Sequence, residues 1–282
     1  MKNINGGEFT GERALFNSSD LKIDNARFHS GESPLKESRG IDLTECVFDW
    51  KYPLWYCHDV TAYDTVLNES ARSGIWYTEN ISMTNCVIDA PKTFRRSSGI
   101  KLDGVRLTNA QETLWHCSDV ELYGVSIKGD YFGFGSSDIV ADSLEVDGNY
   151  IFDGVKNITV RNSRLVSKDA FWNCENVLVE NCYIEGEYLG WNSKNVTFIN
   201  CTIESNQGMC YMKNVTLRNC KLVKTDLCFE YCTVDAEISS HVDSVKNPIS
   251  GRIVAHSIGE IILEADKVDV FATEIIEVKK NV

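Results

Sequence analysis

Residues 177–182 read Val177-Leu-Val-Glu-Asn-Cys182, and the same pattern returns at Ile81, Val196 and Val215. Each copy alternates apolar and polar residues, as a β-strand does, and then places Asn before Cys. Weaker copies begin at Leu21, Ile41, Val60, Ile100, Val120, Ile139 and Ile158, so that successive copies start 19 to 21 residues apart. A period of this length predicts a repeat architecture in which each copy forms one structural unit.

The units are dense in Val, Ile, Thr and aromatic residues, and no helix-length stretch has a 3.6-residue periodicity. One turn of a parallel β-helix takes roughly twenty residues in three short strands, and successive turns pair at about 4.8 Å. Val177 and Val179 then point inward, and Asn181 makes the corner because Asn tolerates the left-handed conformation. The sequence therefore predicts an all-β fold, a single right-handed parallel β-helix of about 11–12 turns.

The repeat pattern covers only the middle of the chain. We predict one domain over residues 1–282, with an N-terminal cap at 1–19, repeat turns at 20–233 and C-terminal cap strands at 234–282. The caps are expected because the terminal turns of a solenoid must cover an open core. No Pro-, Ser- or Gly-rich linker separates these segments.

The net charge and the distribution of apolar residues restrict which kinds of molecule the protein can bind. Forty-one acidic residues against 28 basic ones give a formal net charge of −13, which repels phosphate backbones and anionic lipid. No run of 18 apolar residues occurs, and the first residues lack an apolar signal core. We therefore expect a cytoplasmic protein that binds neither nucleic acid nor membranes.

One column of the predicted third strand carries most of the tryptophans. Its inward neighbours, such as Leu54 and Leu114, include no charged residue, whereas the column itself contains Lys36, Arg95 and Asp153. Buried unpaired charges cost several kcal/mol, so we predict that the column faces outward, although large aromatic side chains usually belong to a core. An outward aromatic ladder implies a partner.

Two partners fit this ladder. Sugar rings stack on indole faces, and a spacing of about 4.8 Å approaches the length of one pyranose unit. The first hypothesis is thus an oligosaccharide-binding or carbohydrate-modifying protein, and the second is a non-catalytic scaffold that forms a homo-oligomer or binds a partner through the same face. The predicted substrate-binding residues are Trp55, Trp76, Arg95, Arg96, Trp115, Trp172 and Trp191. The least favoured alternative is a pentapeptide-repeat protein that mimics DNA, because inward residues recur every five positions in only two strands of each turn.

Candidate catalytic groups are fewer. Glycoside cleavage needs two carboxylates about 5–10 Å apart, and Asp153 with Asp130 or Asp169 could supply them. His116, beside Trp115, could act as an acid or a base near neutral pH. The competing interpretations are solvated corner aspartates and a stacked histidine, so whether the protein is an enzyme stays open.

Eleven cysteines follow the repeat. Cys46, Cys86, Cys182, Cys201 and Cys220 occupy the inward position after the corner, where a thiol serves as a small hydrophobic group. Stacked neighbours with parallel Cα–Cβ bonds fit a disulfide poorly. No Cys/His spacing typical of a metal site occurs, and we predict neither disulfides, nor a metal, nor a cofactor.

Several stretches resemble one protein family. They include Gly11-Glu-Arg-Ala-Leu-Phe16, Asp169-Ala-Phe-Trp172, Glu187-Tyr-Leu-Gly-Trp191 and Lys246-Asn-Pro-Ile-Ser-Gly251. By these the chain resembles the bacterial domain-of-unknown-function family numbered 3737, over essentially its whole length. The resemblance implies the pectin-lyase-like right-handed β-helix fold and no established activity. The Asn-Thr-Asp, Gly-His-Gly and Arg-Ile-Lys motifs of polygalacturonases are absent, so no pectinase mechanism carries over.

Overall fold

The computed structural model describes residues 2–278 and divides into two compact units. These are Met1–Val146, called the N-terminal half, and Asp147–Val282, called the C-terminal half. Both are built from short parallel strands numbered here in chain order, and one 3₁₀ turn at Glu69–Ala71 is the only helical element of residues 2–278. The predicted all-β parallel solenoid, consistent with a right-handed β-helix, is confirmed.

Each turn contributes one strand to a first sheet. In the N-terminal half these strands are β1 (Lys2–Asn5), β3 (Ser19–Asp24), β5 (Arg39–Thr44), β7 (His58–Tyr63), β10 (Glu79–Thr84), β13 (Ser98–Asp103), β15 (Ser118–Tyr123) and β17 (Ser137–Asp142). In the C-terminal half they are β19 (Lys156–Arg161), β21 (Glu175–Glu180), β23 (Lys194–Ile199), β25 (Lys213–Val223), β26 (Thr233–Lys246), β27 (Ser250–Ile262) and β28 (Thr273–Glu277).

Shorter strands form a second side of each turn. They are β2 (Glu8–Phe9), β4 (Arg27–Phe28), β6 (Val47–Phe48), β8 (Val66–Leu67), β11 (Val87–Ile88), β14 (Arg106–Leu107), β16 (Ser126–Lys128), β18 (Glu145–Asp147), β20 (Arg164–Val166), β22 (Tyr183–Glu185) and β24 (Thr202–Glu204). The inward phenylalanines of β2, β4 and β6 stack, with ring centroids 5.0 and 4.6 Å apart. Such contacts between turns fill a narrow core with few gaps.

The ladder has about 15 turns among residues 2–278, more than the 11–12 that the repeat predicts. The extra turns lie where the Asn-Cys pattern is missing: β1 at the start, and β26, β27 and β28 at the end. β26 and β27 run through the corner as strands of 14 and 13 residues with a register shift, so no left-handed Asn marks the bend. A repeat search keyed to Asn-Cys therefore cannot count them.

The predicted corner residues take the expected conformation. Asn181, Asn200 and Asn219 have φ values of 55°, 54° and 52°, a region that Asn tolerates better than branched residues do. Val177 pairs with Val196, and Val196 with Val215, so inward residues stack on their equivalents one turn away. The inward positions of the repeat are buried in both halves.

The predicted third strand is wrong for most turns. Only β9 (Ile75–Trp76) and β12 (Phe94–Arg95) pair as strands on this third side. Elsewhere left-handed residues bracket a short run, as Tyr52 at φ 61° and Tyr56 at φ 55° bracket residues 53–55. A run of three residues is too short for a regular ladder, yet hydrogen bonds such as Leu54 N–H to the Gly74 carbonyl at 2.9 Å still join successive turns.

Candidate functional site

The tryptophan column lies on the third side and is partly exposed, as predicted. Trp55, Trp76 and Trp115 are half-buried, whereas the inward neighbours Leu54 and Leu114 are fully buried. Cys210 and Phe229, which occupy the equivalent position in two later turns, are fully buried instead. The outward prediction therefore holds for the tryptophans but fails at these two positions, where the side chains join the core.

Indole rings of adjacent turns lie face to face. The Trp55 and Trp76 centroids are 5.1 Å apart, and their planes differ by 7°. The Arg95 guanidinium comes next, 4.8 Å from the Trp76 ring and 4.6 Å from the Trp115 ring. Phe134 lies on the far side of Trp115, with centroids 5.0 Å apart. Cation–π contacts thus fill the gap where the column lacks an aromatic residue.

The indole N–H groups are also used within the protein. Each donates to a backbone carbonyl of the next turn: Trp76 to Lys92 at 2.8 Å, and Trp115 to Tyr131 at 2.7 Å. The accepting residues are left-handed, with φ values of 58° for both. These hydrogen bonds hold each indole in a fixed tilt toward the following turn.

The C-terminal half repeats the arrangement. Trp172 and Trp191 stack with centroids 5.8 Å apart and planes 8° apart. Their N–H groups donate to the carbonyls of Tyr188 and Gln207, both at 2.7 Å. Trp76 has a partner on each face, Trp55 and the Arg95 guanidinium, so no free face is left there for a sugar to stack on.

Arg96 and His116 follow Arg95 and Trp115 at the left-handed corner of the third side. Both are exposed, with φ values of 50° and 52°. The His116 ring lies over Gly135, where an added Cβ would approach His116 Nδ1 to 2.6 Å, and it meets Phe134 edge-on at 5.5 Å. The histidine is thus packed against its neighbours, which agrees with the stacked interpretation.

The candidate carboxylates lie in different surroundings. Asp153 is half-buried, and its Oδ1 accepts a hydrogen bond from Asn173 Nδ2 at 2.9 Å. Asp169 is not the solvated corner residue that the sequence favours, because only 2% of it is exposed. Burial raises the pKa of the Asp169 carboxyl above its ordinary value, while a hydrogen bond from Tyr150 opposes that rise.

A shallow, open groove of about 430 Å³, which the sequence did not predict, lies on the outer face of the first sheet in the N-terminal half. We call it the polar groove after the polar side chains along it, although carbon atoms form most of its exposed surface. It is bordered by outward side chains of β5, β7, β10 and β13 and by the left-handed residues near the start of those strands. Its lining residues include Gly40, Asp42, Asp59, Thr61, Asn80, Ser82, Gly99 and Lys101. The glycines at this column are the signal that could have revealed it.

Neighbouring polar groups hold each other in the groove. Thr61 Oγ1 donates to Asp42 Oδ1, and Asn80 Nδ2 donates to Asp59 Oδ1 at 3.0 Å. Lys101 forms an ion pair with Glu121 at 3.4 Å, on the far side of the groove from Asp42. The floor therefore presents hydroxyl, amide, carboxylate and ammonium groups on four consecutive turns.

All eleven cysteines are free and buried. Cys57 Sγ donates to the Leu35 carbonyl at 3.1 Å, as Thr78 Oγ1 does to the Leu54 carbonyl at 2.6 Å one turn later. Thiols thus take the structural place of hydroxyl groups in one inward column. Burial raises the pKa of the Cys57 and Cys117 thiols to about 12, so these groups are poor nucleophiles near neutral pH.

Neither a metal cluster nor a membrane-spanning helix is found in the part of the chain that the structure describes. Across residues 2–278, no three or more His, Cys, Asp or Glu side chains are arranged to hold a metal ion. Across the same residues, no helix is long and apolar enough to cross a membrane.

One protein family, described as "Protein of unknown function (DUF3737)", matches residues 2–276. No curated protein matches the chain. Among solved structures, the surface adhesin PfbA of Streptococcus pneumoniae is similar at 7% identity and a TM-score of 0.47, covering 85% of this chain and 82% of that one. The catalytic domain of a GH87 α-1,3-glucanase is similar at 11% identity and a TM-score of 0.33, covering 98% of this chain and 63% of that one.

The pentapeptide-repeat protein HetL of Nostoc is a third similar structure, at 13% identity and a TM-score of 0.33. The matched region covers 80% of this chain and 90% of HetL. At such identities and TM-scores, these similarities say nothing about a ligand or an activity of this chain.

Proposed function

The chain belongs to the family of proteins of unknown function DUF3737, and we propose that it is a carbohydrate-binding β-helix protein whose oligosaccharide lies in the polar groove of the N-terminal half. The observation that carries the proposal is the lining of this groove, about 430 Å³ in volume, by hydrogen-bonding groups of four consecutive turns. Sugar hydroxyls are both donors and acceptors, and a carboxylate, an amide and an ammonium group side by side match them.

The repeat of the fold suits a repeating ligand. Successive strands of a sheet lie about 4.8 Å apart, close to the length of one pyranose unit. Thr61, Ser82 and Lys101 are successive outward residues, paired in register across β7, β10 and β13. Each sugar unit can therefore meet one outward polar side chain in each turn.

The groove is a better candidate for the binding site than the tryptophan column. Apart from Lys101, its outward side chains are short, and Gly40 and Gly99 leave its border low. The indoles, in contrast, have their N–H groups bonded internally, and Trp76 has both faces covered by Trp55 and Arg95. We therefore assign the tryptophans a structural role and place the sugar on the first sheet.

The test fills the groove without disturbing the ladder. Ser82→Tyr places a bulky outward ring in the groove, and Thr197→Tyr makes the matching change on β23 of the C-terminal half, where the outward residue has the same place in the strand. Calorimetric titration with maltohexaose, cellohexaose, mannohexaose and an oligogalacturonide should detect a ligand for the wild type and the control. Ser82→Tyr should abolish that binding. Equal binding by Ser82→Tyr, or no binding to any of these by the wild type, would refute the proposal.

A second candidate function is self-association through the third side. The exposed aromatic side chains there include Tyr56 and Tyr131, at 43% and 36% exposure, which form a substantial aromatic strip for a monomer surface. Sedimentation at tens of micromolar tests it, because a dimer should form in the wild type and dissociate in Tyr131→Asn. A monomer at every concentration would exclude this second function.

A further inference from the structure

A second depression, of about 610 Å³, lies around the corner from the polar groove in the N-terminal half. Its lining includes Ser18, Glu37, Arg39, Tyr56 and His58. We infer that it is a stacking subsite in which one neutral sugar ring lies on the face of Tyr56 and shares hydroxyl groups with Arg39. This inference rests on the proposed oligosaccharide function and names the ligand class at one end of its site.

Tyr56 differs from the tryptophans in having a face that other rings leave open. One face stacks on Tyr77, with centroids 4.8 Å apart and planes 7° apart. The other face points toward the preceding turns, where the Lys36 ammonium lies 5.5 Å from the ring. The depression lies on this side, so a ligand there takes the place of the Lys36 ammonium over the ring. An open tyrosine face can therefore take the C–H face of a pyranose.

Arg39 supplies the polar contact beside the ring. Its side chain is exposed, and it forms no ion pair or hydrogen bond with any of residues 2–278. A guanidinium presents several N–H donors in one plane, which match two adjacent hydroxyl groups of a sugar. Unlike Arg27 or Arg161, which bond to carboxylates, Arg39 is therefore available to a ligand.

The charges around the depression predict a neutral ligand. Lys36 pairs with Glu37 at 3.6 Å, and His58 lies 3.3 Å from Glu79. The cations Lys36 and Arg39 are thus balanced by two carboxylates, and an anionic sugar gains no net attraction.

The two depressions belong to one surface. Arg39 directly precedes Gly40, and His58 directly precedes Asp59, where Gly40 and Asp59 line the polar groove. A chain of sugars lying in the groove can therefore reach Tyr56 by passing the corner between the first sheet and the third side. Longer oligosaccharides should fill both depressions, and short ones only the polar groove.

The test uses a matched tyrosine. Tyr56→Asn and Tyr211→Asn both keep the left-handed conformation, because Asn adopts it at the same column in Asn173 and Asn192. Tyr211 is 41% exposed, like Tyr56, but lies in the C-terminal half. On the neutral hexasaccharide that binds the wild type, Tyr56→Asn should weaken affinity about tenfold and Tyr211→Asn should not. Arg39→Gln should weaken it as well, with Lys213→Gln as its control.

Chain length separates the subsite from the rest of the proposal. The gain in affinity from trisaccharide to hexasaccharide should vanish in Tyr56→Asn, and the oligogalacturonide should bind no more tightly than a neutral chain. Unchanged hexasaccharide binding by Tyr56→Asn, together with loss in Ser82→Tyr, overturns the subsite and leaves the groove. Absence of wild-type binding to every oligosaccharide overturns both.

Discussion

The two halves of the chain use different amino acids for the left-handed residue near the start of most first-sheet strands. In β19, β21, β23 and β25 of the C-terminal half this residue is always asparagine, namely Asn157, Asn176, Asn195 and Asn214, with φ values between 54° and 59°. In the N-terminal half it reads Asp20, Gly40, Asp59, Asn80, Gly99, Asp119 and Asp138, with φ values between 52° and 63°. The backbone is therefore common to both halves, and only the side chains differ.

The difference lies in what the side chains do between turns. Each asparagine amide of the C-terminal half bonds to the one before it, with Nδ2 to Oδ1 distances of 2.9, 3.0 and 2.9 Å. Such a ladder requires the same amide in every turn. The N-terminal half interrupts it with glycines and carboxylates, and there the polar groove lies. The left-handed column thus forms an asparagine ladder in the C-terminal half and the open border of the polar groove in the N-terminal half.

The largest expected effect is alkaline unfolding, and it should be stronger in the C-terminal half. Burial holds the pKa of several thiols, such as Cys174 and Cys210, at about 12. An unfolded thiol loses its proton near pH 8.5, so the stability present below that pH is lost as the pH rises toward 12, on the order of 2 kcal/mol per thiol by pH 10. Seven of the eleven thiols lie in the C-terminal half.

Pulsed iodoacetamide labelling along a urea series, resolved by peptide, measures this effect in each half. At pH 10, the C-terminal thiols should label at a lower urea concentration than the N-terminal ones, relative to pH 7.5. Midpoints that do not move between the two pH values would show that the thiols titrate alike in the folded and unfolded chains.

The next effect concerns the asparagine ladder. Asn195→Ala removes two amide hydrogen bonds and strains the left-handed position, which should cost about 2–3 kcal/mol. Asp119→Ala imposes the same strain at φ 54° without loss of a ladder, and should cost about 1 kcal/mol. Urea midpoints followed by circular dichroism compare the two. Equal losses would mean that the ladder adds nothing to stability.

A smaller effect is expected at the cation between the indoles. Arg95→Ala removes two cation–π contacts and should cost about 1–2 kcal/mol. Arg96→Asn, at the exposed left-handed residue beside it, should be close to neutral. The near-ultraviolet dichroism of the tryptophans should change in the first variant alone. If Arg96→Asn alters it as much, the guanidinium does not order the stack.

The smallest effect is expected when the asparagine of the C-terminal column is placed in the N-terminal half. Gly99→Asn should stabilise the protein by about 0.5–1 kcal/mol, because asparagine accepts φ 62° and restricts the unfolded chain. Its Cβ would approach Asn80 Oδ1 to 2.7 Å and the Asn80 backbone to 3.3 Å, and asparagines stacked on asparagines already occupy this column in the C-terminal half. Gly104→Asn makes the same exchange against Asn85, outside the groove. Both should raise the urea midpoint, but only Gly99→Asn should weaken oligosaccharide binding, and the reverse outcome would place the ligand elsewhere.

Much of the fold follows from the sequence because inward positions recur with the period of the turn. Asn181 and Cys182 marked a corner and an inward residue, and both are found so. The turns of β26 and β27 escaped because continuous strands replace the left-handed asparagine there. A pattern search finds only the turns that use the same chemistry.

The candidate site was harder to predict. The outward face of the tryptophans followed from the charges of Lys36 and Arg95, but the column gave no sign that the indoles cover each other. Predicting this contact requires the distance between turns, because planar rings about 4.8 Å apart tilt until they touch. The polar groove depends on side-chain length along the neighbouring strands, and Gly40 and Gly99 were its only signal in the sequence. The sequence thus predicted the exposed tryptophan column and did not predict the polar groove.

The even spacing of the C-terminal turns has a consequence for the path to the native state. Four consecutive copies there start at Ile158, Val177, Val196 and Val215, each 19 residues after the last. A strand that pairs one whole turn away still sets valine on valine and asparagine on asparagine, so the shifted pairing is nearly as favourable as the correct one. The N-terminal half has spacings of 19 to 21 residues and mixed residues, which give each strand a distinct partner. Its irregularity thus protects it against slipped assembly, a safeguard that the regular half lacks.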